Sequence, residues 1–349
     1  VSGKTGIQWT DSTWNIVSGC TRVSAGCARC YIERTPPFRM AGRAFVRVGA
    51  ASSTGVVLHW DRLERPPRGP KVFTPSLGDL FHEDVPTEFI AAAFSAFEAH
   101  PDRVFQVLTK RPDRAYAVLQ GRPATPEEVD DGFELGYMPG LFYDRQPLPN
   151  VWLGVSIENA RYSWRADVLR YLPAAVRFIS AEPLLGSLFP EPCGNVNYPR
   201  DAFGGSYVCG LAKGHAGKHS SRFDTGCEWD EKTGLRGTHR NPFAPALLDL
   251  TGIDWVIIGG ESGPGARPMR LSWARELIEA ADQVGVAQFV KQLGRQPLDD
   301  VDGCAVAVRL RDAKGGDWGE WPDDLRIREF PAGSHASAVK ALAIHGEER

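Results

Sequence analysis

Six short runs of β-branched and aromatic residues, each closing on polar residues, limit the possible folds of this chain more than any other feature. They lie at residues 71–75 (KVFTP), 104–109 (VFQVLT), 151–156 (VWLGVS), 176–180 (VRFIS), 254–258 (DWVII) and 287–291 (AQFVK). Most are apolar throughout rather than alternating, which is the pattern of strands covered on both faces in a parallel sheet flanked by helices. Helical patterns fall between them at residues 86–99, 111–119, 160–172 and 272–284. The repeating strand-helix order implies right-handed βαβ crossovers. With a seventh strand near residues 7–9 and no glycine fingerprint of a dinucleotide fold, the expectation is an α/β protein: a full or partial (β/α) barrel of mostly parallel strands.

A chain of 349 residues with 42% hydrophobic content can bury one large core. Residues 1–186 and 248–300 are assigned to the barrel. Residues 187–247, rich in Gly, His and Cys and poor in aliphatics, are an insertion that cannot make a core unaided. Residues 301–349 are a covering extension, in which residues 305–310 (AVAVRL) alternate like an edge strand. No apolar run approaches the ~18 to 20 residues of a membrane span, and residues 1–8 lack a secretory hydrophobic stretch. The expected setting is therefore cytoplasmic, with no membrane partner and with reduced thiols that bind metal, catalyse or pack. The net charge of −3, from 40 Lys plus Arg against 43 Asp plus Glu, argues against a polyanion wrapped around the whole surface and leaves room for a local basic cleft.

Barrel active sites form at the carboxyl ends of the strands. The residues there are Ser76 and Asp79, Thr109 with Lys110 and Arg111, Ser156 with Glu158, Glu182, Gly259-Gly260-Glu261, and Lys291 with Gln292. Six polar strand ends in register favour a shared pocket.

Cys20, Cys27 and Cys30 (C-x6-C-x2-C) lie on a glycine-bearing loop just after the expected first strand. Three thiolates with no nearby histidine leave one coordination position unfilled. That suits a 4Fe-4S cluster with one free iron better than structural zinc, which would need a fourth ligand such as Cys304 or His59. A second group, Cys193, Cys209, His215 and His219, gives C-x15-C-x5-H-x3-H, with Cys227 as an alternative ligand. This spacing suits tetrahedral zinc, whose binding would supply the folding energy that the insertion lacks; the other reading is a loop with incidental His and Cys.

The string from Thr10 to Tyr31, containing Thr13-Trp14-Asn15 and SGCTRVSAGCARCY, resembles the phage-associated three-cysteine-motif family. The likeness continues through DLFHEDVP (79–86), QVLTKRP (106–112), NVWLGVSIEN (150–159), FISAEPLLG (178–186), DWVIIGGESGPGARPM (254–269) and GGDWGEWPDDLRIREFP (315–331). That family is similar at a distance to radical S-adenosylmethionine enzymes, including the spore photoproduct lyase branch. The resemblance implies a 4Fe-4S cluster whose free iron chelates S-adenosylmethionine, and reductive cleavage of that cofactor to a 5'-deoxyadenosyl radical. It further implies Ser76 and Asp79 at the methionyl amino group, Lys110 at its carboxylate, Ser156, Glu158 and Glu182 at the ribose, and Gly259, Gly260 and Glu261 beside the adenine. Two departures are visible: six residues separate the first two cysteines where the radical enzymes commonly have three, and Arg29 stands where they place an aromatic residue.

The function expected is a radical S-adenosylmethionine-like enzyme that repairs or modifies a nucleic acid or nucleotide. Its basic contacts would come from Lys110, Arg111, Arg114, Arg267 and Arg270, with Arg165 and Arg275 on solvated helix faces. One alternative is a non-catalytic iron-sulfur protein that binds nucleic acid or a genetically linked partner protein, or senses redox state. Another is a zinc hydrolase using Glu182 or Glu261 as base. Cys304, in an apolar context, is expected to be buried.

Overall fold

The structure, a computed structural model, describes residues 3–48, 51–123, 137–142, 144–189, 219–220, 227–229, 236–238, 248–302 and 304–332. Its frame is β1 (Ser12–Thr13), β2 (Lys71–Thr74), α1 (Thr87–Glu98), β3 (Val104–Thr109), α2 (Pro112–Leu119), β4 (Val151–Ser156), α3 (Trp164–Leu169), β5 (Val176–Ala181), β6 (Trp255–Gly259), α4 (Leu271–Val284) and β7 (Ala287–Gln292). Each strand pairs in parallel with the next, so spatial order follows chain order. A doubly wound sheet would reverse direction at a switch point. This one winds a single way and curls into a half-barrel of seven parallel strands. Outside β1 the short strand Gly3–Lys4 runs antiparallel.

Side-chain alternation gives the sheet two different faces. Val72, Phe105, Val107, Leu153, Val155, Ile179, Val256, Ile258 and Val290 pack with Phe89, Ile90 and Phe97 of α1 and Leu277 of α4 in the main core. The residues between them face the concave side, where Trp9, Phe73, Trp152, Phe178, Trp255 and Phe289 form a separate aromatic floor. Trp9 and Phe73 lie 4.8 Å apart by ring centroid, and Trp152 and Trp255 meet edge to face at 5.8 Å. The same parity carries each strand onward to the polar residues at its carboxyl end.

An open edge invites pairing with other chains. Here the tail covers the outer edge of β7: Val290 N–H donates to the Ile327 carbonyl (2.9 Å) and Glu329 N–H to the Gln288 carbonyl (2.7 Å). Phe330 then packs against Trp255 and Phe289, with Lys71 Nζ 4.1 Å from its ring centre. Among the described residues no helix is long and apolar enough to cross a membrane.

Several expectations need correction. The first parallel strand is Ser12–Thr13 rather than residues 7–9, and Trp9 instead belongs to the aromatic floor. The segment 160–172 divides into a 3-10 turn (Ala160–Tyr162) and the short α3. Cys304 is exposed, on a strand (Cys304–Ala307) whose four residues all face solvent and which pairs antiparallel with Pro297–Val301. The valines beside it misled because an outer hairpin has no second layer to bury them. Cys193, Cys209 and His215 lie outside the described residues. His219 and Cys227 fall on the backbone of two strands of a small antiparallel meander, with no described side chains.

Gly154 sits on the concave face of β4, where an added methyl group would collide with the Phe178 ring. Gly154→Ala is expected to lower stability by about 1–3 kcal/mol, measured by urea denaturation.

Candidate metal centre

The loop carrying the three cysteines crosses the carboxyl end of the half-barrel and is fastened at each turn. Gly19 adopts φ +100°, and a side chain there would collide with the Gly55 carbonyl, so glycine must precede Cys20. Cys27 lies in a 3-10 turn (Ala25–Arg29); its N–H donates to the Ser24 carbonyl at 3.0 Å, and Cys30 N–H donates to the Cys27 carbonyl at 3.2 Å. Cys27 is buried, and Cys20 and Cys30 are partly so. Cys27 is near enough to both others for their charges to interact.

Two cations from the end of β3 flank the thiols. Arg111 Nη1 donates to Cys20 Sγ (3.5 Å) and to Asp79 (3.2 Å), Nη2 to the Thr21 carbonyl (3.0 Å), and Nε to Glu83 (2.8 Å). Lys110 Nζ stands 3.8 Å from Glu158 and acts on Cys27 and Cys30. Burial pushes the Cys20 thiol up to about 12, with Asp79 adding to the push and Arg111 opposing it. Burial also raises Cys30. At Cys27 burial works upward too, but Lys110 and hydrogen bonds from Ser24 and the backbone prevail and lower it. A deprotonated sulfur is the form that binds metal.

Several residues expected to contact a cofactor also have partners in this loop or beside it. Asp79 Oδ1 accepts from Thr109 Oγ1 (2.7 Å) and Phe81 N–H (3.0 Å), and Oδ2 from Lys110 N–H (3.1 Å) and Arg111. Glu158, fully buried, accepts from Ser24 Oγ at 2.5 Å and from Arg165 Nη1 at 3.2 Å. Gly26 lies so close over Glu158 that a methyl group there would collide with the carboxylate. Glu261 grips Arg267 through Nε (3.0 Å) and Nη2 (2.7 Å), and Arg267 Nη1 donates to the Ala25 carbonyl (2.9 Å). Ser76 Oγ donates to Asn15 (3.1 Å), and its carbonyl accepts from Tyr31 OH. Gly260 allows the approach of the Leu293 carbonyl, and Gly259 makes room for Glu182.

What remains on the concave side of the mouth is the Glu182–Lys291 ion pair, both partly exposed, with buried Ser156 on neighbouring β4 and Tyr31 close enough to Glu182 for their charges to interact. Arg165 is not on a solvated face: it is 2% exposed and pairs with Glu158. Arg114 donates to the carbonyls of His82 and Val85, and Arg270 pairs with Asp300, so these two, like Arg111 and Arg267, have internal partners. Sequence reasoning missed Ser24, Tyr162, whose OH accepts from Ala25 N–H (3.2 Å), and His82, 2.8 Å from Thr21 Oγ1. The signals were Ser24 within SGCTRVSAGCARCY and His82 within DLFHEDVP.

With this geometry in view, the chain belongs to the family described as "Protein of unknown function (DUF5131)", whose family model matches residues 4–322. No curated protein and no solved structure matches it.

The donor set fits an iron-sulfur cluster. Among the described residues no three His, Cys, Asp or Glu side chains converge as ligands of one metal ion. Tetrahedral zinc would draw its sulfurs to about 4 Å from one another, given Zn–S bonds of about 2.3 Å. A four-iron cluster gives each thiolate its own iron and spreads the three apart. Cations beside the thiols serve either case.

Breaking a buried ion pair leaves a charge unpaired. Glu158→Gln, which strands Arg165, is expected to cost about 3–5 kcal/mol in urea denaturation. Glu261 tests the fastening by pH. Burial pushes its carboxyl up, but the hydrogen bonds from Arg267 prevail and hold it below the ordinary 4.5. Its stabilisation is therefore complete above that value and is lost as pH falls through the lowered folded value. Protection of the amides at residues 24–27, relative to their intrinsic exchange at each pH, should be retained above pH 4.5 and fall away below it, whereas Arg267→Gln should show low protection throughout.

Proposed function

We propose that this protein is a radical S-adenosylmethionine-like enzyme that repairs or modifies a nucleic acid or nucleotide. The observation that carries the reading is the set of three cysteines over the carboxyl end of a half-barrel, beside Lys110 and Arg111. Cys20, Cys27 and Cys30 would hold a 4Fe-4S cluster, which when bound supplies one electron for reductive cleavage of S-adenosylmethionine. Lys110 and Arg111 favour the thiolate forms of the ligands. Of the polar groups expected at the cofactor, Ser156 and Glu182 face the concave side, and with Lys291, the ion-pair partner of Glu182, they would orient its polar end. The floor of Trp9, Phe73, Trp152, Phe178, Trp255 and Phe289 excludes water, which reactive radical chemistry requires. The resemblance to the phage-associated three-cysteine-motif family supports the same assignment, and the setting that goes with it is cytoplasmic, where thiols stay reduced. A zinc-bound insertion around Cys193, Cys209, His215 and His219 would supply a further contact surface.

The internal partners of Asp79, Glu158 and Glu261 favour keeping a second reading, a cluster protein that binds or senses without cleaving the cofactor. Both readings are tested on protein purified and reconstituted without oxygen. The enzyme reading expects about four irons per chain, lost in Cys27→Ala, and 5'-deoxyadenosine after addition of dithionite and S-adenosylmethionine. A cluster that never yields 5'-deoxyadenosine selects the second reading, and a preparation without iron overturns both.

A further inference from the structure

Directly before the cysteine loop, a cavity of about 190 Å³ is lined by Ser18, Phe38, Arg43, His59, Arg62 and Leu77, with Pro37 at its side. Its charged lining is entirely cationic, and the nearest carboxylate by sequence, Asp61, is exposed. Arg43 makes no ion pair among the described residues. Its donors reach the carbonyls of Ser18, Thr54 and Gly55 and the Ser18 hydroxyl, and its guanidinium lies 4.5 Å over the Phe38 ring. Burial alone lowers its pKa, as expected of a cation with no counter-charge. Arg62 commits a single donor, Nη1, to the Asn15 carbonyl at 2.6 Å, and its other guanidinium donors have no partner among the described residues. His59 Nε2 is 2.9 Å from Ser18 Oγ, and Nδ1 has no hydrogen-bond partner among the described residues. Burial, then Arg62, holds the imidazole below its ordinary value.

We propose that this cavity is a phosphate-binding site, closed on one side by Phe38 and Leu77 and donating from Arg43, Arg62 and the one free hydrogen of the Ser18–His59 pair, on His59 Nδ1 or on the Ser18 hydroxyl according to the tautomer. A tetrahedral dianion would neutralise two guanidiniums that make no ion pair among the described residues, and Arg62 retains the paired donors that bidentate phosphate recognition uses. The site stands whether or not the cysteines bind a cluster, because none of its donors is a thiol. The phosphate is that of a nucleotide chain or a free anion; the chemistry of recognition is the same.

The test is calorimetric titration of the purified full chain at low ionic strength with inorganic phosphate, and then with a dinucleotide carrying or lacking a 5'-phosphate. A single saturable phosphate site is expected, weakened about tenfold in Arg62→Gln and in His59→Gln and unchanged in Arg311→Gln, whose guanidinium is in an exposed pair with Glu320. Tighter binding of the 5'-phosphorylated dinucleotide than of inorganic phosphate assigns the site to a nucleotide chain, and equal affinity assigns it to the free anion. Absence of saturable phosphate binding, or the same affinity in all three variants, overturns the proposal. If either lining variant fails to fold, a tungstate-soaked crystal of the unaltered protein decides: anomalous density between Arg43, Arg62 and His59 supports the site, and its absence there overturns it.

Discussion

A loop that carries three thiols and few large apolar side chains gains only limited shape from burial, with Cys20 and Cys30 beside Ile32, Phe38 and Leu77, so much of its shape comes from charge and hydrogen bonds. Here Asp79 and Glu158, both buried, pair with Arg111 and Arg165, and through Arg111 and Ser24 they fix the cysteine segment at Cys20–Thr21 and at its middle. A buried pair of this kind is weak evidence for stability but strong evidence for position, because each member is costly to leave without the other. The half-barrel provides the rigid strand ends from which these groups project. The rest of the mouth is arranged around the loop they fix.

The same network assigns roles to motifs that look like cofactor contacts. DLFHEDVP contributes Asp79, His82 and Glu83, and all three contact Arg111 or Thr21. The GGES segment contributes Glu261, whose grip on Arg267 reaches across the mouth to Ala25. Polar residues at strand ends thus divide into those that hold the loop and those that face the concave side, with Glu182 and Lys291 in the second group. The cavity proposed for phosphate includes Ser18, just before the cysteine loop, so anion and metal chemistry would share one segment of chain.

Much of the fold was legible because β3, β4, β5 and β6 are buried on both faces, and unbroken apolar runs report that burial directly. Two-residue β1 left no such run, and α3 is shorter than its pattern because Ser163 separates it from a 3-10 turn. At the site, the cysteines and the strand-end positions were readable from spacing. Which carboxylate would be internally paired was not, because the decisive contacts join residues far apart in the chain, as Ser24 and Glu158 are. Arg165 looked like a surface residue because a buried arginine differs from an exposed one only by its partner.

One of those contacts spans 242 residues, from Ala25 to Arg267. At about 5–20 residues per second of synthesis, the cysteines leave the ribosome roughly 12–50 s before Arg267 does. The cysteine loop is therefore made well before the Arg267 contact that helps to fasten it. During biosynthesis it depends for that interval on the reducing power of its surroundings, and any ligand delivered early meets the thiols while their clamp is still untranslated.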